Sequence, residues 1–190
     1  MSDQGAPPDY QYQQPEAPPS GFRVPLTTDD PFPENFTTGQ PPCYDADGAS
    51  PIFIGSAIFE NSVHPCKIGP HLQPFVSVPY GGGEQGHHGR YDLLPFQPHT
   101  MEWVATSNGQ LPPGRRLVEG GYEENGGKLY HGLAEVDGLK IPGKTGEHLS
   151  VQSATLIDIT YLILGIRGGC NVSFGGAEIV VSEYEILYVS

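Results

Sequence analysis

The sequence predicts an all-β protein: a single pseudo-twofold domain made of two like halves, preceded by a proline-rich tail. Three observations carry this. One set of motifs occurs twice in the chain, at matching spacings. Many segments are short, rich in β-branched or aromatic residues, and bounded by Gly, Pro or Asn/Asp. Outside one apolar stretch near residue 151, no segment sustains a period of 3.6.

Residues 1–42 read as the tail. They hold ten of the 20 prolines, six acids and a single base, Arg23. Such a segment cannot bury enough apolar surface to offset its ordering entropy, so disorder is expected to about residue 20. Phe22-Arg-Val-Pro-Leu26 differs, since its apolar residues can pack on the domain as an edge strand. The repeat follows, with residues 43–100 as the first copy and 101–190 as the second.

The first copy runs Tyr44-Asp-Ala-Asp-Gly48, then Gly55-Ser-Ala57, then Pro65-Cys-Lys67-Ile-Gly69-Pro-His71-Leu72. It continues with Val78-Pro-Tyr-Gly-Gly-Gly-Glu84 and closes on Tyr91-Asp-Leu-Leu94. The second runs Tyr122-Glu-Glu-Asn-Gly126, Gly132-Leu-Ala134 and Pro142-Gly-Lys144-Thr-Gly146-Glu-His148-Leu149. Val172-Ser-Phe-Gly-Gly-Ala-Glu178 and Tyr184-Glu-Ile-Leu187 complete it. The step from Gly-x-Ala to the lysine is 12 residues in both copies, and Val to Glu is 6 in both. Pro51–Phe59, Phe75–Tyr80, Lys128–Val136 and Ser182–Val189 are expected strands. Tyr44–Gly48 and Tyr122–Gly126 are expected hairpin turns, with Asp-Gly and Asn-Gly supplying positive φ. Each half is too small to close its own core, so the halves should pair.

One segment breaks the match. Between the His-Leu and the Val the second copy carries 17 extra residues, roughly 151–168, the most hydrophobic part of the chain. Two readings stay open: an insertion buried against the domain or a partner, or a translated, unspliced intron.

Composition excludes several functions. The net charge of −13, from 22 acids and 9 bases, cannot readily form the basic face that nucleic acid or an anionic membrane requires. The longest apolar run is too short to span a bilayer. Three widely spaced cysteines make no CxxC and no disulfide framework. The N-terminus lacks a basic n-region and an apolar h-region, so a cytoplasmic location is expected, with unconventional release as a route outward. The sequons at Asn35 and Asn171 are then expected to be silent. Monomer and dimer are both compatible with the charge, and an apolar insertion would favour a homodimer.

The motifs Glu102-Trp-Val104, Gly109-Gln-Leu-Pro-Pro113, Gly120-Gly-Tyr-Glu123, the Gly-x-Ala, the Pro-Gly-Lys of 142–144 and the closing Gly-Gly-x-Glu…Tyr-Glu-Ile-Leu187 resemble the DM9 repeat. The resemblance covers residues 43–190, with Phe22–Gln40 standing where the first copy's opening strand would lie. It implies an all-β fold of two intertwined repeats and a non-enzymatic, mannose-binding lectin. It further implies that an acid in the hairpin turn and the lysine of the Pro-Gly-Lys motif hold the sugar. By position these are Asp45 with Lys67, and Glu123 with Lys144; Tyr44, Tyr122, His71 and His148 would support them. Two departures stand out. The second copy has Glu where the family has Asp, and the first has Cys66 in place of the motif's glycine. The extra segment also follows His148 closely, so the first copy is the stronger candidate site.

The chemistry suits a neutral sugar. A carboxylate accepts from two vicinal hydroxyls and an ammonium donates to a hydroxyl oxygen. Aromatic rims cover the sugar's C–H face. Plainer roles stand beside these. The lysines could be solvated turn residues, although their recurrence beside Gly and Pro argues for ligand contact. Asp45 and Glu123 could simply cap turns. His71 and His148 are expected to be buried and bonded to backbone carbonyls, with sugar contact second. His64, Cys66, His71, His87 and His88 fit no closed zinc pattern, so no metal and no cofactor is expected. Glu84 and Glu178 could form a glycosidase pair only if they faced each other across a sugar; equivalent structural roles are the expectation. Trp103 is expected in the core. No GxSxG, phosphate loop or Ser/His/Asp arrangement is present. A protein-interaction scaffold that binds no sugar is the rival reading.

Overall fold

A computed structural model describes residues 18–19, 21–147, 149 and 168–189. The expected disorder before residue 18 and both readings of 151–167 lie outside the described residues. In chain order the strands are β1 (Val24–Thr27), β2 (Cys43–Tyr44), β3 (Pro51–Ile58), β4 (Val63–Ile68) and β5 (Val76–Tyr80). They continue with β6 (Gly83–His87), β7 (Arg90–Leu94), β8 (Met101–Ser107), β9 (Arg116–Leu117) and β10 (Glu119–Tyr122). The last are β11 (Lys128–Val136), β12 (Leu139–Thr145), β13 (Cys170–Phe174), β14 (Ala177–Val181) and β15 (Glu183–Val189). Among the described residues a single helical turn, α1 (Asn35–Thr38), interrupts this all-β architecture.

The strand order is a palindrome: β1-β7-β3-β4-β5-β6, then β14-β13-β12-β11-β15-β8. Reversing the second half matches it to the first strand for strand. Val24–Thr27 thus takes the place, beside β7, that β8 takes beside β15. This is the edge strand expected of the Arg23 region. The repeat centre lies between β6 and β14, where Gly83 faces Ala177. There the Glu84 amide donates to the Gly176 carbonyl and the Glu178 amide to the Gly82 carbonyl, each at 3.2 Å. The four strand segments expected from composition are β3, β5, β11 and β15 to within a residue at either end.

The halves are intertwined. β10 pairs with β11 of its own repeat and, through Tyr122 and Val63, with β4 of the other. Both predicted hairpin turns form, with Gly48 at φ 66° and Gly126 at φ 83°. Contrary to the expectation that neither half closes its own core, each repeat gathers a buried cluster of matching residues, because its strands curl over their own inward faces. The halves pair through a further shared cluster. Tyr91, Leu93 and Val78 pack in the first, and Tyr184, Ile186 and Val172 in the second. A third cluster joins Ile54 and Leu94 to Met101, Val118 and Leu187 across the halves. Fully burying each such aliphatic side chain contributes about 1.5–3 kcal/mol, so the seam is strongly held.

Arg23 fixes the N-terminal strand. Its guanidinium donates to Ser56 Oγ at 2.9 Å and the Glu119 carbonyl at 2.8 Å, and meets His131 Nε2 at 2.8 Å. Burial pulls its pKa down to about 10, against the pull of Asp92. Burial also holds His131 well below its ordinary value, so the ring is a neutral acceptor for the guanidinium.

Candidate functional site

Two clusters of charged side chains sit at equivalent places in the two repeats. The predicted hairpin turns carry the acids. β4 carries Lys67 and β12 carries Lys144, each facing the opposite repeat. Lys67 and Lys144 are 13% and 5% exposed, so neither is a solvated turn lysine.

The first cluster lines a groove with Tyr44, Asp45, Ile52, Lys67, Ile141 and Phe174 among its walls. Lys67 Nζ donates to Glu84 Oε1 at 2.7 Å and to the Ser173 carbonyl of the other repeat at 2.8 Å. Asp45 and Lys67 share the groove without bonding each other. Asp45 Oδ2 instead meets His71 Nε2 at 2.8 Å. Burial raises the Asp45 pKa, but the His71 hydrogen bond, the Ala46 amide and the nearby lysine outweigh it, leaving it lowered. His71 is therefore no buried, carbonyl-bonded ring. It sits at the surface because its partner is the turn's carboxylate, which the linear sequence does not place beside it. His148, its counterpart, lies outside the described residues.

In the second cluster the acid and the lysine do meet. Lys144 Nζ lies 3.4 Å from Glu123 Oε1, 3.9 Å from Glu178 Oε1 and 3.3 Å from His64 Nδ1. It also sits over the Tyr80 ring, 5.5 Å from the centroid. His64 and Tyr80 belong to the first repeat and were not among the expected site residues. Counting back from the two lysines makes His64 the equivalent of Ile141. Counting on from Val78 and Val172 makes Tyr80 the equivalent of Phe174. Burial, reinforced by Lys144, pushes His64 down to about 4, so it is neutral at pH 7. Tyr80 OH donates to Glu124 Oε1 at 2.7 Å, and Ser62 Oγ reaches the same oxygen at 3.4 Å.

Both turns place a tyrosine at the mouth. Tyr44 is 50% and Tyr122 is 47% exposed, two of four exposed large hydrophobic residues among those described. Behind the lysines, Glu84 and Glu178 are locked into the fold. Glu84 Oε2 accepts from the Gly176 amide at 2.9 Å, and Glu178 Oε2 from the Gly82 amide at 2.8 Å. Glu84 Oε1 also accepts from Ser77, and Glu178 Oε1 from Asn171. Each carboxylate thus clips one repeat to the other.

The histidine and cysteine candidates for a metal are scattered. His87 Nε2 donates to the Arg90 carbonyl, Cys66 is in the core, and His88 is on the surface. Among the described residues no three His, Cys, Asp or Glu side chains converge as a metal ion would need. Trp103 packs on Phe96 at 6.1 Å, half-buried between two apolar clusters. No helix among the described residues is long and apolar enough to cross a membrane.

Comparison with known proteins bears on the family and the fold. A family model described as the DM9 repeat matches residues 45–156, more than half of the chain. No curated protein matches. Among solved structures, the nematode sperm cell motility protein MFP2B is similar, with a TM-score of 0.52 at 16% identity. The alignment covers 98% of this chain and 54% of that one, so the chain spans about half the length of its structural neighbour. The likeness is one of fold.

Proposed function

The chain belongs to the DM9 repeat family, a family of binding modules for carbohydrate or other partners, and from that premise we propose that it binds neutral, mannose-type glycans. The observation that carries this is the recurrence, at both turns, of an exposed tyrosine, an acid and a recessed lysine. The tyrosine offers an apolar face to a pyranose ring. The acid accepts from vicinal hydroxyls, and the lysine donates to a hydroxyl oxygen. The lysine is already oriented by its carboxylate, so little side-chain entropy remains to be lost on binding. In the first groove Ile52, Ile141 and Phe174 add an apolar wall. Glu84 and Glu178, the carboxylates weighed as a glycosidase pair, are each bonded to a backbone amide of the other repeat, which favours recognition without chemistry.

A single groove of this kind gives weak affinity, and two on one molecule raise it if both reach one glycan surface. The test is a titration with methyl mannoside, followed by backbone amide NMR. Shifts are expected at Tyr44–Gly48 with Lys67, or at Tyr122–Gly126 with Lys144. Asp45→Asn, at an exposed turn, should weaken the first set by at least about tenfold without unfolding the protein, the worth of one hydrogen bond to a charged group. Unmoved amides in both turns would reject the lectin reading. They would favour the scaffold reading, which one observation already supports: each lysine already bonds a carboxylate of its own repeat and a group of the opposite one.

A further inference from the structure

The first groove is too small to enclose a sugar by itself. It holds about 20 Å³, the space of a single water-sized group. One hydroxyl can enter beside Asp45 and Lys67, and the rest of a pyranose must lie outside. A larger cavity adjoins it. About 540 Å³ opens over β12, β11, β15 and β8, lined by Lys140, Leu133, Glu135, Glu183, Glu185 and Ala105 among others. These four strands are consecutive in the sheet. At about 4.8 Å per step, the cavity runs about 14 Å from Lys140 to Ala105, longer than one pyranose ring. Its volume falls within the range of small-molecule sites.

Two observations make the groove and the cavity one surface. Lys140 lines both. Ile52 in the wall of the first and Leu133 in the floor of the second pack in one buried cluster with Cys43. The chemistry of the lining suits a polyhydroxylated ring. Leu133 and Ala105 give an apolar floor, the Lys140 ammonium donates, and the carboxylates accept. With three carboxylates against one ammonium, the cavity disfavours an acidic sugar. Lys140 spends one of its three donors on Glu185, at 2.5 Å. That pair is 50% and 30% exposed, too wet to hold the fold together. The other repeat does without it: Val63 and Ile58 stand at the positions of Lys140 and Glu135. The glutamates that tie the repeats together recur in both copies, whereas this lining does not.

We propose that the cavity extends the first groove into a cleft for a linear, neutral oligosaccharide. Its terminal residue lies on Tyr44, Asp45 and Lys67. The next one or two residues lie over Leu133 and Ala105, with hydroxyls on Lys140, Glu135 and Glu185. This rests on the lectin reading and deepens it, since the ligand becomes a chain rather than a single sugar.

The experiment is an amide NMR titration of the full chain with methyl mannoside and with an α-linked mannotriose. The mannoside should move Tyr44–Gly48 and Lys67 and leave the cavity strands still. Mannotriose should move the same residues and also Ala105–Ser107 and Leu133–Glu135. It should bind at least about tenfold more tightly, the worth of one further hydrogen bond to a charged group. Ala105 is exposed, on an edge strand, where a charge is tolerated. Ala105→Arg lays a long side chain across the cavity; it should reduce mannotriose to the mannoside's affinity and leave the mannoside unaffected. Cavity strands left unmoved by mannotriose, or equal affinities for the two sugars, would overturn the proposal, and shifts at either turn would then keep the lectin reading. Cavity shifts without shifts at Tyr44–Gly48 would also overturn it, by making the cavity a separate site. If neither sugar moves the cavity or either turn, the lectin reading falls with it.

Discussion

At the residue scale the most consequential side chain is His64. It is fully buried, holds Lys144 with Nδ1 and meets Ser62 Oγ with Nε2. Its pKa falls to about 4 in the fold from an ordinary value of 6.5. The unfolded chain therefore binds the proton more readily, and stability falls as pH drops from 6.5 towards 4. The loss across that window should approach about 3 kcal/mol, read from urea unfolding at pH 7 and pH 4.5. His64→Ile, which copies Ile141, should flatten this slope; an unchanged slope would show that the buried, likewise depressed His131 carries it instead. Below pH 4 the lowered carboxyls of Asp45 and Glu84 act with the same sign. Their contribution is present above their unfolded pKa and is lost on acidification. Recurrence made the lysines and turn acids legible in the sequence. His64 was not legible as a neighbour of Lys144, because the contact spans 80 residues and both repeats. Symmetry could have found it: two equivalent lysines facing opposite repeats must each meet what the other repeat puts there.

Among the elements, β4 and β12 show how alike and how unlike the copies are. Cys66 on β4 occupies the place of Gly143 on β12. A Cβ built on Gly143 would come within 2.1 Å of the Asn171 carbonyl oxygen, against backbone that cannot move aside. Gly143→Ala should therefore cost more than about 2 kcal/mol, on the scale of overpacked core sites. Gly48 offers the contrast. It has open space around it but sits at φ 66°, so Gly48→Ala should cost only about 1 kcal/mol, through backbone strain alone. Thermal unfolding of the two variants separates these causes, and equal losses would refute the argument. Strand identity was readable wherever β-branched residues clustered between turn residues, as in β3 and β11. β6, Gly-Glu-Gln-Gly-His, could not be read that way. Its pairing is imposed by β5 on one side and β14 on the other.

The whole molecule is held at its centre by two reciprocal clips. Glu84 ties Lys67 of its own repeat to the Gly176 amide of the other, and Glu178 ties Lys144 to Gly82. Cores that share a seam and carboxylates that cross it should unfold together. Urea denaturation is expected to give one transition by every probe. Glu84→Ala and Lys67→Ala, combined, should destabilise less than the sum of the singles by about 1 kcal/mol. Strict additivity would mean that the pair is not coupled. The twofold relation of the halves followed from the repeat, and the palindromic strand order is its three-dimensional form. The crossing of β10 onto β4 did not follow, since one backbone pair at Tyr122 leaves no mark on composition.

The clips also bear on ancestry. Each repeat offers one carboxylate and presents one glycine amide to receive another, so a lone repeat is complementary to a copy of itself. A gene for one repeat already encodes its own mate. The present chain has the form of two identical subunits joined end to end, and joining frees each from having to match the other. Ile141 and His64, once bound to be the same residue, no longer need to be.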